Sequence, residues 1–218
     1  MKTRLIISLL LLLLLTTYKP QKSSLKSRFN IQEIQIENNF ILKDKAIKKD
    51  LISLYNTNLI FLNTSNIKKI LIEKSFIESF EIKKIYPNKL KIKIFEKKPI
   101  AILYFNNNKF LISDKFDLIN YKNLDKFKNL PTVYGDKENF EYFYKKLEKI
   151  NFPLDTIKSF YFFESQRWNL ITYSNKTIKL PENNYVQSLE NFINSKKKES
   201  FDKYKIFDYR IKDQLILK

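Results

Sequence analysis

Ile85-Tyr86-Pro87-Asn88-Lys89-Leu90-Lys91-Ile92-Lys93-Ile94-Phe95-Glu96-Lys97-Lys98-Pro99-Ile100-Ala101 carries two kinds of signal. From Leu90 to Ile94 apolar side chains alternate with Lys91 and Lys93, the period of a strand with one buried face. Phe80 and Ile82 alternate in the same way before it, with Ile85 three residues on. Between the two runs stands Tyr86-Pro87-Asn88-Lys89, where proline presets one backbone angle and asparagine tolerates a positive one. The stretch therefore reads as two strands joined by a tight turn.

Upstream, Phe29, Ile31, Ile34 and Ile36 suggest another strand, with a slip in phase between Ile31 and Ile34 that reads as a bulge. Asn38-Asn39 supplies a turn. Ala46, Ile47, Leu51 and Leu54 recur at helical spacing after Asp44, an acid suited to a first helical turn. Leu59-Ile60-Phe61-Leu62 reads as a short buried run. Asn63-Thr64-Ser65-Asn66 offers caps for a second helix bearing Ile67, Ile70 and Leu71. The first folded unit, 29–98, thus has the order β-α-α-β-β.

Further upstream, Leu5-Ile6-Ile7-Ser8 and the run Leu9, Leu10, Leu11, Leu12, Leu13, Leu14, Leu15 form an apolar segment. Its ten Leu and Ile residues favour bilayer insertion by roughly 3–6 kcal/mol. Leu5 to Thr17 spans about 20 Å as a helix, against a hydrocarbon core of about 30 Å, so Lys2, Arg4 and Lys19 must snorkel or the bilayer must thin. A cleaved signal peptide has an apolar region of the same length. Thr16-Thr17-Tyr18-Lys19-Pro20-Gln21 lacks a small-x-small cleavage site, which favours an uncleaved anchor over 5–18 behind a tail of residues 1–4. Residues 19–28 are polar and unpatterned, a tether. Lys2, Arg4 and the amino terminus precede the segment and Lys19, Lys22, Lys26 and Arg28 follow it, so the positive-inside rule gives no help and weakly opposes an inside N-terminus.

Downstream, 99–218 reads as a second α+β unit with a mainly antiparallel sheet. Ile100–Phe105 and Phe110–Ile112 are strands around Asn106-Asn107-Asn108. Tyr142, Phe143, Leu147 and Ile150 mark a helix, and Tyr185, Leu189, Phe192 and Ile193 mark another. Between them lie strands at 157–163, Arg167–Ile171 and Thr177–Leu180. A final strand is expected over about Lys205 to Leu217. Trp168, at the head of an alternating run, reads as core.

Composition narrows function. Among 218 residues there is no His and no Cys, which removes the commonest general base, the commonest metal ligand and any disulfide. The single glycine, Gly135, cannot build a glycine-rich phosphate loop. The net charge of +18 is spread evenly: +6 over 1–28, +6 over 29–98 and +6 over 99–218. No single-face basic patch points to nucleic acid, and Lys, Asn, Ile and Phe are inflated together, as AT-rich coding produces. Asp208 and Arg210 share a strand face but have no nucleophile or second acid signalled nearby, so they read as a structural ion pair. No catalytic residue, cofactor or metal is expected.

The order of these motifs resembles the FtsQ/DivIB family. Ile34-Gln35-Ile36-Glu37-Asn38-Asn39, Ser75-Phe76-Ile77 and the stretch 85–101 resemble its POTRA domain. Leu130-Pro131-Thr132-Val133-Tyr134-Gly135, Arg167-Trp168-Asn169-Leu170, Thr177-Ile178-Lys179-Leu180-Pro181 and Asp208-Tyr209-Arg210 resemble motifs of its second domain. Two departures stand out. Asn38 replaces a usual glycine, and Lys115-Phe116-Asp117 stands where the family often has a glycine after Asp114. The resemblance implies a non-enzymatic scaffold of septation in the inner membrane, single-pass, N-terminus inside, with the bulk of the chain periplasmic. It implies extracytoplasmic binding of FtsB and FtsL by the second unit, with Tyr209, Arg210, Ile211, Lys212, Asp213, Gln214 and Leu215 as the expected contact along an unpaired edge. The alternative is a POTRA-containing periplasmic transport or assembly factor. Its barrel-forming version fails on length, because about 120 residues cannot close a 16-stranded barrel.

Overall fold

A computed structural model describes residues 2–17, 28–196, 199–212 and 214–218. The chain divides into two compact units between Glu96 and Lys97.

Helix α1 runs Lys2–Thr17. The hydroxyls of Thr16 and Thr17 donate back to the carbonyls of Leu12 and Leu13, at 2.9 and 2.8 Å, which occupies polar groups that would otherwise need water. Sixteen residues make about 24 Å of helix. Among the described residues no helix is long and apolar enough to cross a membrane. Met1 and residues 18–27, which include most of the expected tether, lie outside the described residues.

The first unit contains β1 (Glu33–Glu37), α2 (Asp44–Asp50), α3 (Ser65–Ile72), β2 (Ile77–Ile85) and β3 (Lys89–Glu96). The β-α-α-β-β order is present. What periodicity did not supply is the pairing. The sheet order is β1-β3-β2, with β1 parallel to β3 and β2 antiparallel to it. Ile34, Ile36, Leu90, Ile92 and Ile94 point inward against Ile47, Leu51, Ile67 and Leu71 from the helices, and all are buried. The phase slip before β1 has a backbone cause: the N–H groups of Gln32 and Glu33 both donate to the Asn88 carbonyl, so the strand starts only at Glu33. Asn38 takes φ 63° and its side-chain amide donates to the Ile94 carbonyl at 2.9 Å, so it supplies the left-handed turn and also pins it.

Two expectations change here. Of Leu59-Ile60-Phe61-Leu62 only Leu59 is buried, and Ile60 and Phe61 are exposed. The Asn58 side chain accepts from both their N–H groups, an Asx turn that lifts them out of the core. Ala46 is exposed too: the buried positions are Ile47, Leu51 and Leu54, which leaves Ala46 off the buried stripe.

Glu96, at the end of β3, clamps the loop after β1. Its carboxylate accepts from the backbone N–H groups of Phe40, Ile41 and Leu42 at 2.7–3.0 Å.

The second unit holds β4 (Pro99–Phe105), β5 (Asn108–Ser113), β6 (Leu118–Asn120), β7 (Thr132–Tyr134), α4 (Lys137–Lys149), β8 (Ile157–Phe163), β9 (Arg167–Thr172), β10 (Thr177–Lys179), α5 (Tyr185–Ser195), β11 (Ile206–Asp208) and β12 (Ile216–Leu217). They form one nine-stranded sheet in the order β12-β11-β10-β9-β8-β7-β4-β5-β6. Five of its pairings are antiparallel; β4·β7, β7·β8 and β10·β11 are parallel. The helices α4 and α5 connect parallel neighbours, β7 to β8 and β10 to β11, as parallel pairing requires.

Both helices cover one face of the sheet. Phe140, Phe143 and Leu147 of α4 and Leu189 and Phe192 of α5 are buried in one cluster with Phe160, Trp168, Leu170, Ile178 and Phe207 of the strands. Trp168 lies stacked on Phe143, with centroids 4.7 Å apart and planes 11° apart, so it is core as expected. On the opposite face Tyr104, Tyr134 and Tyr161, in register on β4, β7 and β8, stack at 5.2 and 4.5 Å.

With one glycine in the chain, asparagine takes over most left-handed turns: Asn106 and Asn107 between β4 and β5, Asn151 after α4, Asn175 before β10 and Asn184 before α5 all have positive φ. Phe116 does so as well, at φ 61°. The Ser113 hydroxyl accepts from the N–H groups of Lys115 and Asp117, and the Phe116 ring packs edge-on against Phe140 and Tyr144. Those contacts hold a bulky residue in a conformation that usually asks for glycine.

Candidate functional site

The C-terminal end of the chain departs most from the sequence reading. Instead of one strand from Lys205 to Leu217 there is a hairpin. β11 ends at Asp208, the Gln214 N–H donates to the Ile211 carbonyl at 3.2 Å to close a turn, and β12 returns antiparallel to β11. The physical reason is the Asp208 carboxylate. It accepts from the Arg210 backbone N–H and from the guanidinium at 2.8 and 2.6 Å, which curls the chain at Arg210 and ends the ladder.

Residues 209–215 are therefore the hairpin loop and not the edge itself. Tyr209 is buried and Arg210 is spent on Asp208. Ile211, Lys212, Gln214 and Leu215 are exposed, and Asp213 lies outside the described residues. The loop and α5 enclose a groove of ≈ 1140 Å³ whose walls include Gln187, Glu190, Asn191, Tyr209, Ile211 and Leu215. Sequence periodicity had no access to this groove, because its two walls are separate in sequence and meet only through the β10-α5-β11 crossover.

Electrostatics at the hairpin are local. The Arg210 guanidinium holds the Asp208 carboxyl below its ordinary value, and burial opposes it in part. Burial pushes the Tyr209 phenol up to about 12. Its hydroxyl is buried and makes no well-formed hydrogen bond among the described residues; the Ser195 hydroxyl beside it donates its own proton to the Phe192 carbonyl.

The outermost strand of the sheet is β12. The N–H of Ile206 donates to the Lys218 carbonyl, and the N–H of Lys218 donates to the Ile206 carbonyl, at 2.9 and 3.1 Å. Ile206 and Lys218 are thus a hydrogen-bonded pair, so the next pair, Phe207 and Leu217, is not bonded. The N–H and C=O of Leu217 point away from β11. The phase of the edge, open from sequence, follows from this alternation.

On α1, Ile6, Ile7 and Leu9 to Leu14 are exposed all round the helix; Leu5 and Leu15 belong to it, but their side chains are not described. Among the described residues no group of three or more His, Cys, Asp or Glu side chains could hold a metal ion.

A three-stranded β-α-α-β-β unit followed by a one-face-covered mixed sheet defines a POTRA-bearing protein with a second α+β unit. Residues 29–97 match the family of the POTRA domain, FtsQ-type. Cell division protein FtsQ of Rickettsia conorii is 27% identical over 197 residues, covering 88% of this chain and 73% of that protein. FtsQ of Rhizobium meliloti is 22% identical over 171 residues, 78% of this chain and 55% of that one. Cell division protein DivIB of Clostridium tetani is 33% identical over 110 residues, 50% of this chain and 40% of that one. Residues 29–97 carry the FtsQ-type POTRA domain, and the chain is similar over most of its length to FtsQ cell-division proteins.

Proposed function

We propose that this chain is a non-enzymatic scaffold of septation, held in the inner membrane by α1 with its bulk outside the cytoplasm, that binds FtsB- and FtsL-like partners through the C-terminal hairpin of its second unit. The observation that carries the partner reading is the outer edge of β12. Leu217 offers an unpaired N–H and C=O at the end of a nine-stranded sheet, and a partner segment can extend the sheet there. The groove between α5 and residues 209–215 lies beside that edge and gives Tyr209, Ile211, Gln214 and Leu215 a part in the same contact. Lys205, Lys212 and Lys218 crowd the hairpin, and they discourage indiscriminate edge pairing while leaving a partner with acidic flanks free to dock.

The test is Leu217→Pro. Proline deletes the outward donor and leaves the β11–β12 ladder bonds of Ile206 and Lys218 in place. Binding of the extracytoplasmic segment of an FtsB-like coiled-coil partner, measured by calorimetry, should fall at least about tenfold, the loss of ~1.4 kcal/mol expected when one well-made hydrogen bond goes. The melting temperature should hold. Undiminished binding by Leu217→Pro and by a chain truncated after Arg210 would refute strand addition.

A further inference from the structure

The first unit has two ends, set by the direction of β1, and they differ. Where the chain enters, the Leu59 N–H donates to the Phe29 carbonyl at 2.8 Å and the Ile31 N–H donates to the Thr57 carbonyl at 2.9 Å. Asn30 bridges Asn58. The 57–62 loop is thereby tied beside the point where the chain leaves the tether. That loop carries Phe61, 83% exposed, and Ile60, 43% exposed. Phe29 contacts the ring of Tyr86 at 6.4 Å, and Tyr86 is 56% exposed. The Lys84 ammonium donates to the Ile60 and Leu62 carbonyls at 3.1 Å each, which places a positive charge under the loop. Arg28 and Lys83 are exposed in the same part of the chain, and the one acid there, Glu33, is paired with Lys89 at 3.0 Å.

The covalent chain limits how far this end can stray from α1. Ten residues, 18–27, separate Thr17 from Arg28, a reach of at most about 40 Å. Three of them, Lys19, Lys22 and Lys26, are basic and none is acidic. Exposed aromatic and aliphatic side chains interleaved with lysine and arginine, joined to an apolar helix by a short basic segment, have the composition of an interfacial membrane contact.

We propose that Ile60, Phe61 and Tyr86, with Arg28, Lys83 and Lys84, form a second foothold on the bilayer that α1 enters, the apolar side chains seated at headgroup level and the cations on anionic lipid phosphates. The inference rests on the reading of α1 as a membrane anchor. It gives the exposure of Phe61 a reason: an Asx turn at Asn58 holds the two residues outward, where a core would have drawn them in. It also compensates for the shortness of α1, since two contacts on one surface bind by effective concentration.

The absence of cysteine permits a direct test on the full chain. Ile60→Cys, labelled with an environment-sensitive fluorophore, is reconstituted into phosphatidylglycerol–phosphatidylcholine vesicles holding a shallow spin-labelled lipid. Phe40→Cys, at the opposite end of β1 and 80% exposed, is the comparison site, and Leu10→Cys reports on α1. The label at 60 should shift to the blue and lose most of its emission, and the label at 40 should do neither. Phe61→Asp in the Ile60→Cys chain should restore the emission. If the label at 60 behaves like the label at 40 while the label at 10 is quenched, the foothold is wrong and the anchor stands. If the label at 10 is not quenched, the anchor reading falls and the foothold with it. Equal quenching at 60 in pure phosphatidylcholine would overturn the part assigned to the cations.

Discussion

Asp208 and Tyr209 are adjacent, and each bears on stability in its own way. Asp208 is buried and forked by Arg210, which keeps its carboxyl below the ordinary value. The folded chain therefore binds fewer protons than the unfolded chain near pH 4, and this group's contribution is present in full above the unfolded pKa. It is lost as pH falls through the lowered folded value. In urea unfolding between pH 5 and pH 2.5, Asp208→Asn should lose stability less steeply with acid than the unaltered chain; equal slopes would mean the fork contributes nothing. Tyr209 is the opposite case. Its hydroxyl is buried and makes no well-formed hydrogen bond among the described residues, so Tyr209→Phe should leave stability unchanged or raise it by up to about 1 kcal/mol.

At the scale of elements, Gly135 links β7 to α4. Its φ is 155°, and a Cβ there would lie 2.8 Å from Cβ of Phe162 on β8, backbone-anchored on both sides and unable to step aside. Gly135→Ala should cost about 1–3 kcal/mol in denaturant unfolding, a value set by strain and overpacking together. The neighbouring residue shows why the joint is placed there: Asp136 caps α4 by accepting from the Asn139 N–H at 2.8 Å. Glu96 is the matching device in the first unit. Glu96→Ala leaves the N–H groups of Phe40, Ile41 and Leu42 without their acceptor, and the first unit should lose about 1–3 kcal/mol. Glu96→Gln, which keeps one carbonyl oxygen, should lose less. Hydrogen exchange of the Ile41 and Leu42 amides is the site-specific readout, and it should quicken in Glu96→Ala before global unfolding does.

For the whole molecule, the two units have separate cores, one built on Ile and Leu and the other on phenylalanine. Phe143→Ala removes a ring that stacks on Trp168 and touches Phe160, and should cost the second unit about 3–5 kcal/mol. Trp168 is the one tryptophan of the chain, so its fluorescence reports the second unit alone. That transition should move to lower denaturant, while a probe placed on the first unit keeps its midpoint.

Much of this was legible in the residues. Period-2 alternation over 90–94 and helical spacing at Ile47, Leu51 and Leu54 depend on one face of each element being buried, and burial is what an alternating sequence encodes. Asparagine at 38, 106 and 107 marks turns because its side chain tolerates positive φ, and these turns stand where expected. The element order of the first unit, the core role of Trp168 and the family resemblance all follow from such local signals. The rest belonged to tertiary structure. Alternation does not say which strand lies beside which, so β1 beside β3 and the nine-strand order came only with the fold. Apolar content does not say where backbone donors go. Leu59-Ile60-Phe61-Leu62 looked buried until the Asn58 side chain proved to hold two of its amides outward. Lys205 to Leu217 looked like one strand until Asp208, by capturing Arg210, turned it into a hairpin. In each case a side chain made a hydrogen bond to backbone or to a neighbour, a choice the energy of the folded chain settles and the hydrophobic pattern does not record.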